Sequence, residues 1–154
     1  MELNLDGIKD ASLWKGYRLP EYDIVKMCNT TKDNPVWLHF GAGNIFRAFI
    51  CAAAQKLLNE GAADTGIICA ESSFGTEIIT ECYRPHDNLC VSVTLNPDGS
   101  IDKEVVGSVA ESLTVAYDMD RISEIVGAAS LALVSFALTG GGDAMGGGSG
   151  PGGG

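Results

Sequence analysis

Two glycines separated by one residue, Gly41 and Gly43, lie between an apolar run and a helical pattern. A turn of this kind lets the main chain approach a pyrophosphate closely, and the helix that follows offers free N–H groups and a partial positive charge. The strict dinucleotide fingerprint has a third glycine, and here that place is Phe46. The pattern predicts a phosphate-binding turn, and an ordinary tight strand-to-helix turn is the alternative. The candidate cofactor-binding residues in this turn and the start of its helix are Gly41, Ala42, Gly43, Asn44, Ile45, Phe46 and Arg47.

Two charged side chains accompany this turn. Arg47 lies on the first turn of the predicted helix, where a guanidinium can bind a phosphate or a carboxylate, or form a surface ion pair. Glu71 ends the next apolar run, 28 residues after Gly43. In dinucleotide-binding folds an acid at this place accepts hydrogen bonds from the adenosine ribose and repels a 2′-phosphate, which favours NAD over NADP. The alternative for Glu71 is an exposed acid at a strand end.

Histidine and cysteine are too scattered to predict a metal site or a catalytic group. His39 and His86 are the only histidines, and no Cys-x-x-Cys pair occurs. His39 is interpreted as a buried strand residue. We predict no catalytic residue and no metal ligand in this chain.

Composition narrows the class of protein. The chain has 154 residues and is 45% hydrophobic, enough for one domain with a core. Twenty Asp and Glu against ten Lys and Arg give a net charge of −10, which argues against a nucleic-acid partner. No apolar run approaches the roughly 20 residues that span a bilayer, and the first residues do not resemble a secretory signal. An odd number of cysteines, five, is typical of reduced thiols in the cytoplasm.

Glycine is concentrated at the end of the sequence, where ten of the 20 glycines lie in residues 140–154. Such a tail has few side chains to bury and loses much backbone entropy on ordering. It is either a flexible linker or a stretch of unassigned residues. We therefore predict a domain over residues 1–139 and a separate tail over 140–154.

Strand and helix patterns alternate around the glycine turn. Apolar runs at 36–40 and 66–70 flank a helical pattern at 44–59, which predicts a βαβ unit with parallel strands. Runs at 89–95 and 105–109 around the turn 96–99 predict a β-hairpin, and 1–33 shows no long periodic segment. Asp118 and Asp120 favour a short capped helix through Ile125, followed by a strand at 130–138. The expected fold is an α/β, Rossmann-like, doubly wound and mainly parallel sheet with an inserted β-hairpin.

Three segments resemble the mannitol dehydrogenase family, which comprises polyol-specific long-chain dehydrogenases and the fructuronate and tagaturonate reductases. Residues 37–49 are similar to its H-x-G-x-G-x-x-x-R signature, with His39, Gly41, Gly43 and Arg47 in the matching places. Residues 86–91 resemble the Q-D-x-L-Y-T stretch of the family, with changed residues at the Gln, Tyr and Thr places. Residues 133–139 resemble the strand that leads to its T-E-x-G-Y motif.

The resemblance implies the cofactor domain of an enzyme that transfers hydride between NAD(H) and a sugar alcohol or sugar acid of the mannitol, fructuronate or mannonate type. It covers about residues 10–139. The family's mostly helical substrate domain, with its lysine general base, lies beyond that region, and the last lysine here is Lys103. The expected substrate is therefore a small polyol or uronate held by a missing domain, and the chain as given is expected to be inactive. Relatives are monomers or dimers, and the sequence does not decide between them. The alternative is a non-catalytic α/β nucleotide-binding or interaction module.

Overall fold

The computed structural model describes residues 1–137, apart from the side chain of Ser73. The predicted tail at 140–154 lies outside the described residues, as do the last two positions of the predicted domain. Short 3₁₀ turns and π-helical turns supplement the regular elements. In chain order the regular elements are α1 (Ile24–Asp33), β1 (Trp37–Phe40), α2 (Cys51–Asn59), β2 (Ile67–Glu71), β3 (Cys90–Leu95), β4 (Ile101–Val106), β5 (Val109–Thr114), α3 (Met119–Val126) and β6 (Leu133–Phe136).

Four strands form a parallel sheet in the order β5-β2-β1-β6. Trp37 of β1 is opposite Ile67 of β2 on one side and Leu133 of β6 on the other, and all three pairings in the sheet are parallel. The parallel strands predicted at 36–40 and 66–70 are therefore confirmed as β1 and β2, and the strand predicted at 130–138 is present as β6. The order matches the first four strands of a doubly wound dinucleotide-binding sheet, with the reversal of strand order between β1 and β6.

Both faces of the sheet are covered at β2, as is typical of parallel sheets, whereas Leu133, Val134 and Phe136 of the edge strand β6 are exposed, so the burial expected of that strand is wrong. Along β2, Ile67 and Cys69 pack into a cluster that contains Ala54 of α2. Ile68 and Ala70 face the other way and pack in a cluster with Ile122 and Ile125 of α3. Because β2 is buried on both faces, its sequence is continuously apolar rather than alternating. This arrangement confirms the predicted doubly wound α/β class.

The helix predicted over residues 44–59 is present, but it does not begin as a regular α-helix. Residues Phe46–Ile50 form a π-helical turn, and the N–H of Cys51 bonds to the carbonyl of Phe46, five residues back. The chain continues as α2 to Asn59. Such π-turns inside helices are frequent at functional sites, and this one directly follows the glycine turn.

The predicted hairpin is confirmed in its first strand and wrong in its second. β3 pairs antiparallel with β4, Leu95 opposite Ile101, in a two-stranded sheet of its own inserted between β2 and β5. The predicted second strand at 105–109 joins the end of β4 to the start of β5. Its valines are continuous in the sequence, but at Gly107 the chain leaves the hairpin and then enters the main sheet. β5 was therefore not predicted from the sequence.

Two further expectations need correction. The segment 1–33 contains α1, whose N-cap Asp23 accepts a 2.9 Å hydrogen bond from the Lys26 N–H. Only Ile24, Met27 and Thr31 of α1 are buried, so its apolar face is too narrow to show a clear period. The helix predicted after Asp118 is present as α3, but the Asp118 side chain does not cap it.

Candidate functional site

The glycine turn and Glu71 line one cleft of about 400 Å³ at the carboxyl ends of β1, β2 and β6. In open α/β sheets, ligands bind outside these strand ends where the strand order reverses. Six of the eight predicted site residues line the cleft, and Ala42 and Arg47 do not. The full lining consists of Gly41, Gly43, Asn44, Ile45, Phe46, Glu71, Ser72, Phe74, Gly75, Ile78 and Ala137.

Gly41 is required by the fold itself. Its φ is +103°, a conformation that residues with a Cβ rarely adopt, and a Cβ built there would lie 2.5 Å from the carbonyl oxygen of Ala137. Its N–H donates to the carbonyl of Ala70 at 2.9 Å, which extends the pairing of β1 with β2. The absence of a side chain at Gly41 therefore allows the backbone after β1 to lie close to the backbone after β6.

Gly43 is not required by packing. A Cβ built at this position meets no atom within 4 Å, and its φ is outside the left-handed range. Gly43 nevertheless lines the cleft, at the start of the helix. Packing would tolerate a side chain at this position, and the absence of a Cβ leaves room for a ligand to approach the main chain.

Ala42 and Phe46 hold the turn from beneath. Ala42 is buried, and its carbonyl accepts a 2.9 Å hydrogen bond from the Tyr83 hydroxyl. Phe46, in the place of the third fingerprint glycine, is fully buried and stacked on His39 with ring centroids 4.3 Å apart. An aromatic side chain at this place thus fills the core under the helix start.

The Glu71 carboxylate is bound by the main chain. Its Oε2 accepts from the Ala42 N–H at 2.7 Å, and its Oε1 accepts from the Ser72 N–H at 3.0 Å. A Cβ on Gly75 would overlap the Glu71 side chain, so the loop after β2 folds closely over the carboxyl group. These contacts fix the carboxylate at the cleft wall before any ligand is present.

Arg47 lies beside the main cleft. Its Nη2 donates to Asn44 Oδ1 at 2.6 Å, and its guanidinium lies 5.8 Å from the centre of the Tyr83 ring. It lines a smaller cleft of about 190 Å³ between the helix start and β3. Among residues 1–137 it forms no ion pair, so the surface ion pair considered for Arg47 is not found there.

His39 is fully buried, as predicted from its strand. Its Nδ1 lies 2.7 Å from Ser135 Oγ, and the same oxygen accepts a 2.7 Å hydrogen bond from Trp37 Nε1. Because the indole N–H can only donate, Ser135 Oγ accepts from Trp37 and keeps both its proton and a second lone pair for His39 Nδ1, so the contact is compatible with either tautomer of the ring. Within the described part of the chain, His39 Nε2 has no hydrogen-bond partner. Burial lowers the pKa of His39 and favours the neutral ring.

Within residues 1–137 no three His, Cys, Asp or Glu side chains are grouped so that they could hold a metal ion. No helix in that part of the chain is long and apolar enough to cross a bilayer. All five cysteines are free thiols.

Five cleft residues were missed in the sequence: Ser72, Phe74, Gly75, Ile78 and Ala137. The position of Ser72, Phe74 and Gly75 directly after Glu71 is a sequence signal for a loop that closes over the acid. Ile78 and Ala137 reach the cleft through a π-helical turn and the end of β6, which no local pattern indicates.

A parallel sheet in this order, with helices on both sides of β2 and the strand order reversing between β1 and β6, defines an α/β domain of the Rossmann-like, doubly wound class. No protein-family model matches the chain. It is 43% identical over 144 residues to the D-mannonate oxidoreductase of Thermotoga maritima. The match covers 90% of this chain and 26% of that protein. Together with the solved structures below, this relative confirms the predicted resemblance to the mannitol dehydrogenase family, over about a quarter of the relative's length.

Solved structures show the same fold. The crystal structure of a D-sorbitol dehydrogenase in substrate-free form has a TM-score of 0.76 and 24% identity, over 92% of this chain and 28% of that one. Pseudomonas fluorescens mannitol 2-dehydrogenase, in a ternary complex with NAD and D-mannitol, has a TM-score of 0.78 and 21% identity. The match covers 92% of this chain and 27% of that one. The chain spans about a quarter of the length of these relatives.

Proposed function

We propose that this chain is the NAD(H)-binding domain of an oxidoreductase that transfers hydride between the nicotinamide and a sugar alcohol or sugar acid. The observation that carries the proposal is Gly43: its main chain is bare, packing does not require a glycine there, and it lines the cleft where the strand order reverses. The NAD complex of the structurally similar mannitol 2-dehydrogenase supports the choice of ligand.

The residues of the turn fit a pyrophosphate. The first N–H groups of a helix have no intrahelical acceptor. The backbone N–H groups of Gly43, Asn44 and Ile45, at the start of this helix, are of this kind. A local array of backbone donors binds an anion despite the net charge of −10, because the donors are close and the net charge is spread over the surface. Arg47, next to Asn44 and without an ion pair in the described chain, lies beside the cleft rather than in its lining, and its positive charge favours an anion bound at the turn.

Glu71 fits the adenosine ribose. Glu71 Oε2 accepts one main-chain N–H and keeps a second lone pair for a sugar hydroxyl, whereas Oε1 accepts from the N–H of Ser72 and, at 3.4 Å, from its hydroxyl, a weak contact that a sugar hydroxyl would replace. A 2′-phosphate would meet a like charge, and none of the described residues that line the cleft is Lys or Arg. The site therefore favours NAD over NADP.

Bound NAD would supply the hydride acceptor, and the residues of this chain bind and orient it. The substrate is proposed to be a mannonate-type sugar acid, because the 43% identical relative is a D-mannonate oxidoreductase. Mannitol and fructuronate are the alternative substrates, because both take part in the same type of hydride transfer. We propose a cofactor domain over residues 1–139 and a tail over 140–154, with the substrate-binding residues in a further domain. We also propose a cytoplasmic location, because five free thiols are typical of a reducing compartment.

Binding of NAD(H) to the 154-residue chain tests the proposal. Its unfolding temperature is measured against the concentrations of NADH, NAD and NADP. Stabilisation should follow RT ln(1 + [L]/Kd), about 2.7 kcal/mol at a ligand concentration of 100 Kd. We expect saturable stabilisation by NAD(H) at lower concentrations than by NADP. The absence of any shift at millimolar NADH would mean that the glycine turn is structural only, as in a non-catalytic interaction module.

A further inference from the structure

Phe74 is 99% exposed although it lines the cleft. It lies in the 3₁₀ turn Ser73–Gly75, immediately after the loop residue Ser72 that follows β2. An aromatic ring that is fully exposed at the wall of a concave site is an apolar surface available to a flat ligand.

The turn that carries Phe74 is attached to Glu71. The Gly75 N–H donates to the Ser72 carbonyl at 3.0 Å, and the Ser72 N–H donates to Glu71 Oε1. Gly75 packs so closely on the Glu71 side chain that a Cβ would overlap it. The backbone on either side of Phe74 is therefore held against the carboxylate proposed to bind the ribose.

We propose that Phe74 stacks on the adenine base of the bound dinucleotide. This rests on the proposed function, because it assumes that Glu71 accepts the adenosine ribose hydroxyls. The base is attached to that same sugar, so it must lie one sugar ring away from Glu71, and Phe74 is the aromatic residue of the cleft loop at that end. Ile78, from the next turn of the chain, adds an apolar wall to the same cleft.

Base–aromatic stacking depends on the area of the base. The preference for NAD over a dinucleotide with a smaller base therefore depends on stacking, and a purely structural role of Phe74 would leave this preference unchanged. The 154-residue chain and its variants are titrated with NAD and with nicotinamide cytosine dinucleotide, which has a smaller base. We expect Phe74→Ala to raise the Kd for NAD about tenfold and to reduce the preference for NAD over the cytosine analogue several-fold. Phe74→Tyr should keep both the Kd and the preference within about twofold of the parent.

Phe49→Ala is the matched control, because Phe49 is also an exposed phenylalanine, 71% exposed, and does not line the cleft. It should leave both Kd values unchanged. The unfolding temperature of ligand-free Phe74→Ala should equal that of the parent, since an exposed ring contributes little to packing.

Three outcomes would overturn the proposal. An unchanged Kd for NAD in a folded Phe74→Ala variant would show that Phe74 does not contact the base, while NAD binding by the parent would leave the proposed function intact. An equal loss of affinity for both dinucleotides would show that Phe74 acts through the Glu71 loop rather than by stacking. A parent chain that binds neither dinucleotide would overturn the proposed function together with this inference.

Discussion

The carboxylate of Glu71 accepts a 2.7 Å hydrogen bond from the backbone N–H of Ala42, in the middle of the glycine turn. This bond joins the residue at the end of β2 to the turn that follows β1, across the parallel pair of strands. The group proposed to bind the ribose and the turn proposed to bind the pyrophosphate are thus one connected unit. Preorganisation of this kind reduces the ordering cost of binding.

Replacement of Glu71 by Gln should weaken NAD binding and narrow the preference for NAD over NADP. A glutamine keeps one oxygen acceptor, but its amide N–H₂ group cannot accept from a second main-chain N–H. Hydrogen bonds to a charged group contribute about 1.5–3 kcal/mol, so the Kd for NADH should rise at least about tenfold. Calorimetric titration with NADH and NADPH measures both effects.

Glu77→Gln is the control for this substitution, because Glu77 is an exposed acid of the same loop region that does not line the cleft. A parent that binds NADPH as well as NADH would show that Glu71 does not select the cofactor.

Ser135→Ala should destabilise the fold more than the substitution of a typical serine. The Ser135 hydroxyl serves both Trp37 Nε1 and His39 Nδ1, and its loss leaves both buried or half-buried nitrogens without a partner. The expected loss of unfolding free energy is about 2 kcal/mol, measured by urea denaturation. Ser130→Ala, which removes a single hydrogen bond to the Pro35 carbonyl, should cost less. Equal losses for the two variants would contradict the shared-hydroxyl network.

Asp118 should give a pH-dependent contribution to stability. Burial opposes its ionisation, but hydrogen bonds from Thr114 and the Arg84 guanidinium outweigh burial and lower the pKa of the carboxyl group. Its contribution is therefore present above the ordinary aspartate pKa of about 3.9 and lost as the pH falls through the lower pKa of the folded state. Asp118→Asn should cost about 1 kcal/mol at pH 7, and the difference from the parent should shrink towards pH 2.5.

Thermal unfolding of both proteins between pH 7 and pH 2.5 measures this dependence. A stability difference that is the same at both ends of the range would show that the Asp118 charge does not contribute to folding.

The elements that the sequence predicted best are those whose own residues carry the signal. β1 and β2 are continuous apolar runs because they are buried on both faces, and the glycine turn between β1 and the helix follows from the same pattern. β5 was missed because its first valine continues the valine run of β4 across Gly107, and only the tertiary fold separates them. α1 was missed because three buried positions do not make a clear period.

At the site, the sequence indicated which residues carry phosphate and ribose chemistry but not how they are held. The contact of Glu71 with Ala42 joins residues 29 positions apart, and Ala137 reaches the cleft from β6. Neither contact has a local sequence signal. The same reason explains Asp118, which the sequence indicated as a helix cap: its carboxylate turns back to Thr114 and Arg84 instead.

The cysteines should react with thiol reagents in an order set by burial. Cys82 is exposed, whereas burial raises the pKa of the Cys90 thiol to about 11 and raises that of the buried Cys51 still further. Thiolate is the reactive form, so Cys82 should account for the fast phase with an aromatic disulfide reagent at pH 8. Cys82→Ser should abolish this phase. A fast phase that persists in the variant would contradict the lower reactivity expected of the other thiols, of which Cys51 and Cys69 are buried and Cys28 and Cys90 half-buried.

The measurement that tests the central claim most directly is the Kd for NADH of Gly43→Ala beside its unfolding free energy. The structure leaves open space for the methyl group, so the fold should keep its stability or gain about 0.4–1 kcal/mol from lower entropy of the unfolded chain. Gly41→Ala is the matched control, and it should destabilise the fold because its Cβ meets the Ala137 carbonyl. If the pyrophosphate binds on the bare main chain of the turn, Gly43→Ala should raise the Kd for NADH at least about tenfold while remaining folded. A Gly43→Ala variant that binds NADH with the affinity of the parent would contradict the account.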